Sequence, residues 1–187
     1  MDELEGLVAD AVAGDPLAAA ALVRATQSDV WRLCAALGDP GTADDLAQET
    51  FLRAFGSLHR FEGRSSVRTW LLSIARRVCA DAVRARRRRR LTLVRDDVDL
   101  TAVPAPGGAD PVGEGAGVAD LLVRMDPDRR EAFVLTQLLG LSYAEAAEVA
   151  GCAVGTIRSR VARGRADLID SLTGVDEDDD EGDVARR

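Results

Sequence analysis

The sequence has no lysine, a single histidine and a single tyrosine, and its three cysteines, Cys34, Cys79 and Cys152, stand far apart with no paired spacing. That spacing excludes a disulfide framework and a thiolate zinc site. Three buried, reduced thiols are expected instead. His59 is the only imidazole and falls at the end of a predicted helix, where a surface or capping role is expected before a pH switch. No apolar run approaches the roughly 18 residues needed to span a bilayer, and the N-terminal MDELEGLVAD is acidic where a signal peptide is positive. A cytoplasmic protein without membrane insertion is therefore expected. Arginine supplies every positive charge, a bias that base composition explains as well as phosphate recognition does, so it carries no functional weight alone.

What is present is enough for a core: 187 residues, 47% of them hydrophobic, sufficient for one domain or two small ones. The formal net charge of -8 averages over segments of opposite character. Residues 1–62 carry four Arg against eleven acids, whereas residues 63–90 carry ten Arg against the single Asp81. Residues 153–165 carry four Arg and no acid; residues 167–183 carry nine acids and no base. Two basic islands in an acidic chain suit a polyanion that touches those islands and is repelled elsewhere.

Apolar residues recur at three and four along the chain, and no run alternates over strand length, so the expected fold is all-α. A Pro/Gly-rich stretch, VPAPGGADPVGEGAG, has too little apolar surface to offset chain entropy. It predicts two small helical domains, over 1–92 and 118–173, joined by a flexible linker over 93–117. A charged tail over 174–187 is expected to be disordered.

Three helical segments carry chemistry. In ADDLAQETFLRAFGSL, Ala47, Phe51, Ala54 and Leu58 share one face and are expected in the core, while Asp45, Gln48, Glu49 and Leu52 share the other. That second face is either a solvated surface or a protein contact with an apolar residue ringed by charge. The segment SSVRTWLLSIARRVCADAVRARRRRR begins with a hydroxyl cap at Ser65 or Ser66 and buries Val67, Leu71, Ile74, Val78 and Ala82. Its far side holds Thr69, Ser73, Arg76, Arg77 and Arg84, arginines among small residues, which suits a nucleic-acid backbone. Trp70 sits at the margin as a buried anchor or a stacking surface. In LSYAEAAEVAGCAVGTIRSRVARGRADL, the small Ala147, the turn Gly151 and the branched Ile157 meet the needs of a helix-turn-helix. Val154, Ile157, Val161 and Leu168 line the inner face of its second helix; Thr156, Ser159, Arg160 and Arg163 point outward with Arg158 on the flank, as on a recognition helix in a major groove.

Taken in order, these three segments resemble the bacterial RNA polymerase sigma factors of the extracytoplasmic-function type, over about residues 20–170. The resemblance implies that Asp44, Asp45, Gln48, Glu49, Leu52 and Arg53 dock on the clamp helices of the β′ subunit of polymerase core. It implies that the minus-ten promoter element is recognised and opened by the segment holding Arg64, Ser65, Ser66, Arg68, Thr69, Trp70, Ser73, Arg76, Arg77 and Arg84. A flipped base would be captured in a nearby loop, by binding energy and without ATP. Arg77 departs from the family, many of whose members carry Asn there, so the contact region is carried over but not the base it reads. The helix-turn-helix, through Thr156, Arg158, Ser159, Arg160 and Arg163, would read the minus-thirty-five element. Promoter DNA, polymerase core and an anti-sigma factor are the implied partners; no cofactor, metal or catalytic residue is implied. Two other classes compete: a stand-alone helix-turn-helix regulator, and a nucleic-acid enzyme with Asp44, Asp45 and Glu49 as metal ligands.

Overall fold

A computed structural model describes residues 3–38, 40–95 and 118–173, all of them in helices or in the turns between helices. The first unit holds α1 (Glu3–Val12), α2 (Pro16–Leu37), α3 (Ala43–Ser57) and α4 (Val67–Arg95); the second holds α5 (Val118–Arg124), α6 (Pro127–Phe133), α7 (Tyr143–Ala150) and α8 (Val154–Thr173). α4 runs past residue 92 to Arg95. The rest of the expected linker, from residue 96, and the acidic tail from 174 lie outside the described residues.

Local chemistry starts these helices where they start. Asp15 caps α2 by accepting from the Leu17 N–H at 2.8 Å, with Pro16 in the first turn where its missing N–H does no harm. Asp126 and Pro127 repeat the device at α6. Ser66 is the hydroxyl that opens α4, taking the Thr69 N–H at 3.1 Å. At α7, Ser142 and Glu145 form a reciprocal capping box, and Gly151 closes the helix with φ +66°, a conformation that favours glycine.

One apolar cluster runs through both units, from Val8 through Leu33, Leu71 and Leu72 to Leu135, Ile157 and Val161. The two units are thus packed on each other, α4 against α7 and α2 against α6. α4 consequently buries more than the expected stripe: besides Val67, Leu71, Ile74 and Val78, it also buries Thr69, Leu72, Ala75 and Cys79. α3 is rotated from the expected phase. Ala43, Leu46, Thr50 and Ala54 face the core, whereas Ala47 and Phe51 are only half-buried. Thr50 can sit in the core because its hydroxyl donates to the Leu46 carbonyl at 2.7 Å, which removes the penalty of burying it. In the helix-turn-helix, Ala147 and Ile157 are buried at the crossing as expected, but Val154 is exposed at the first position of α8. Gly164 completes the inner face in its place; a Cβ there would stand 3.2 Å from the Met125 sulfur.

Candidate nucleic-acid and protein interfaces

The outer side of α3 is a polar surface with its side chains already organised. Asp45, Gln48 and Leu52 are exposed, Leu52 by 63%. Asp44 accepts the indole N–H of Trp31 on α2 at 2.8 Å. Arg53 bridges Glu49 at 2.7 Å and Asp81 of α4 at 2.8 Å, and Asp81 also takes Arg84 at 2.6 Å. The Arg53 and Arg84 guanidiniums hold the Asp81 carboxyl below its ordinary value. Arg53 and Arg84, predicted for two different surfaces, therefore share one carboxylate. Among the described residues no His, Cys, Asp or Glu group could hold a metal ion. Asp44 and Glu49 have side-chain partners of their own.

The residues predicted along α4 divide into an exposed set and a covered set. Arg64 is exposed and paired with Glu62 at 2.5 Å in the loop before the helix; Arg77 and Arg84 are exposed on its side. Ser65 is half-buried, and Ser66 is occupied as a cap. Trp70 is half-buried and packs on Phe61 with ring centroids 5.3 Å apart and planes tilted by 58°, so it serves as an anchor with one side left accessible. Ser73 donates to the Trp70 carbonyl at 2.7 Å. Arg68 and Arg76 meet the second unit, and Thr69 is buried beside them. Arg68 donates to Asp29 at 2.6 Å and to the carbonyl of Leu139 at 2.5 Å. Thr69 is 1% exposed. Arg76 forms an ion pair with Glu131 of α6, whose side chain is 9% exposed. Beyond these, Arg86 to Arg89 are exposed on the distal part of α4.

On α8, Arg158, Ser159 and Arg163 are exposed and Thr156 is half-buried. Arg160 is the exception, since it is tied to Asp128 of α6. The helix is set against α6 by Arg129, which donates to both oxygens of Asp167 at 2.7 and 2.9 Å. Arg165 donates to Gln137 at 2.7 Å. The face that would enter a groove stays open, while the flank toward α6 is used for internal pairing.

Trp31, Asp29, Asp128, Glu131 and Leu139 were not expected from the sequence. Only Trp31 carried a signal, as one of two tryptophans in a polar stretch. The others acquire their meaning from partners that are remote along the chain.

Comparison with known proteins returns one consistent answer. Residues 22–89 match the family described as Sigma-70 region 2, and residues 117–168 the family described as Sigma-70, region 4. The chain is 48% identical over 180 residues to the ECF RNA polymerase sigma factor SigC of Mycobacterium tuberculosis, covering 92% of this chain and 96% of that protein. Among solved structures it is similar to CnrH in complex with the cytosolic domain of CnrY, with a TM-score of 0.70, 30% identity, and 92% and 99% of the two chains covered. It is likewise similar to the sigma factor RpoE of Bartonella quintana in complex with the anti-sigma factor NepR, at a TM-score of 0.63 and 30% identity over 82% and 95% of the chains.

Proposed function

The chain belongs to the sigma-70 family, among the sigma factors of the extracytoplasmic-function type, and from that premise we propose how it divides its labour along its length. As a sigma factor it binds RNA polymerase core and directs it to promoters, contributing no bond chemistry of its own. Its place of action is where polymerase works, the cytoplasm.

Residues 1–92 bind core and recognise the minus-ten element; residues 118–173 read the minus-thirty-five element; residues 93–117 connect them, and 174–187 form an acidic tail. On α3, the contact with the clamp helices of polymerase falls to Asp44, Asp45, Gln48, Glu49, Leu52 and Arg53. On α4 and its preceding loop, minus-ten contact falls to Arg64, Ser65, Ser66, Arg68, Thr69, Trp70, Ser73, Arg76, Arg77 and Arg84. On α8 the readers are Thr156, Arg158, Ser159, Arg160 and Arg163. An anti-sigma factor, of the kind bound to RpoE in its complex with NepR, is the expected regulator.

The observation that carries this reading is the coincidence of the two family matches with α2–α4 and α5–α8, each of which bears one of the basic islands. Polymerase holding both islands in register raises the effective concentration of each weak module at its element, while the acidic remainder resists free DNA. Reconstituting core with this chain and mapping transcripts from a genomic promoter library tests it. Defined start sites with paired upstream elements are expected, and no initiation on any promoter would overturn it. A specific duplex shifted by the chain alone, with no affinity for core, would favour the stand-alone regulator instead.

A further inference from the structure

Trp31 is 45% exposed on α2, an unusual position for the largest apolar side chain in a charged surface. It stands in a cleft of about 550 Å³ between α2 and α3, together with Val23, Ala47, Gln48 and the half-buried Phe51. Two features make the site more than a gap in packing. The indole N–H, the only polar atom of the ring, is already satisfied by Asp44 at 2.8 Å, so covering the ring would strand no donor. The same hydrogen bond, made across two helices, fixes the ring before any partner arrives.

Charge selects the occupant. Asp44 and Gln48 belong both to the cleft wall and to the α3 surface proposed for polymerase, and Asp45 and Glu49 continue that rim. Arg32 also lines the cleft, so the negative charge lies on its α3 side, at Asp44, Asp45 and Glu49, and DNA or the acidic segment 167–183 of this chain would bring negative charge against that side. A helix with an apolar side chain flanked by cations fits on both counts. We infer that Trp31 is the apolar anchor of the contact with RNA polymerase core, receiving an apolar side chain of a basic helical segment while the α3 carboxylates take its cations. The inference rests on the sigma-factor reading and adds to it a residue on α2, outside the α3 surface. It also locates the centre of the contact in the cleft rather than at Leu52, since central, desolvated tryptophans tend to dominate interfaces.

The test uses the full chain with Trp70→Phe, so that 5-hydroxytryptophan incorporated biosynthetically reports on position 31 alone and can be excited beyond the absorption of the core's own tryptophans. Adding core polymerase should protect the probe from iodide quenching. Trp31→Ala should weaken core binding about tenfold or more, and Trp31→Phe, which keeps an apolar ring without the N–H, should fall between. Helix content should be unchanged in both, because the side chain lies on the surface. Normal core binding with an unprotected probe and an unaffected Trp31→Ala variant would overturn the inference and leave the sigma-factor reading standing. Protection that grows with protein concentration in the absence of core would also overturn it, by making a second copy the occupant. Failure of the unsubstituted chain to bind core would overturn the reading beneath it.

Discussion

Ser142 and Glu145 decide how firmly the helix-turn-helix begins. The Ser142 hydroxyl takes the Glu145 N–H at 3.2 Å, and the Glu145 carboxylate takes the Ser142 N–H at 2.9 Å and its hydroxyl at 2.7 Å. Ser142→Ala removes the cap and should lower stability by about 1 kcal/mol in chemical denaturation. The same bonds hold the Glu145 carboxyl below its ordinary value, Ser142 contributing most and the Arg68 guanidinium adding to it. A depressed folded-state value means that this stabilisation is complete above the ordinary carboxylate range and is lost as pH falls through the folded value. Amide exchange at the first turn of α7 should therefore quicken in acid relative to Glu145→Gln, whose capping does not titrate. The thiols make a second prediction at this scale. Cys34 and Cys79 are buried next to each other in the core; the Cys34 sulfur together with burial pushes the Cys79 thiol up, while the hydrogen bond with Cys79 draws the Cys34 thiol down, and burial closes both to a reagent. Cys152 is only half-buried. A thiol reagent should modify one cysteine in the native protein, at position 152, and all three after unfolding.

The helices differ in how much of their role was legible in the sequence, and the difference follows the distance between partners. The helix-turn-helix was legible because Ala147, Gly151 and Ile157 lie within a short stretch and meet through local geometry. The phase of α3 was not, because Thr50 reads as polar and sits in the core by bonding its own helix. The pair Arg76–Glu131 was hidden entirely, its members being 55 residues apart and joined only when the two units pack. Position along a helix also separates two kinds of arginine. Arg163 is exposed on the open face of α8, while Arg86 to Arg89 surround the distal turns of α4. A side chain at a base edge specifies; charges arrayed on all sides attract phosphate without discriminating. Arg163→Ala should change which minus-thirty-five sequences the holoenzyme prefers, with about tenfold discrimination lost at one base position. Neutralising Arg87 to Arg90 should instead weaken all promoters evenly and flatten the salt dependence, both readable from transcription on a promoter panel at two salt concentrations. A shifted preference from the arginine run would relocate the reader to that part of α4.

At the scale of the whole molecule, the packing of the two units conflicts with simultaneous promoter contact. The proposed reading puts Arg68, Thr69 and Arg76 on DNA, yet here Arg68 binds the Leu139 carbonyl, Thr69 is buried and Arg76 is paired with Glu131. At Arg68 and Arg76 one set of partners excludes the other, so DNA engagement through those two requires the units to separate. Glu131 is the point at which to test this. Its carboxylate stands where a phosphate or base would have to approach Arg76, and as a nearly buried anion it depends on that guanidinium for compensation. Glu131→Gln keeps the shape and removes the charge, weakening the packed arrangement without deleting side-chain volume. Affinity for a single-stranded minus-ten oligonucleotide, measured on the chain without core, should rise about fivefold, the factor that ~1 kcal/mol of lost closed-state stabilisation produces. The unfolding temperature should fall. Asp128→Asn supplies the control: it removes the same charge from the same helix, but its partner Arg160 lies within the second unit, so α4 should bind the oligonucleotide as before. Equal gains in both variants would trace the effect to net charge alone. No gain in either would mean that the packed arrangement does not limit access to α4.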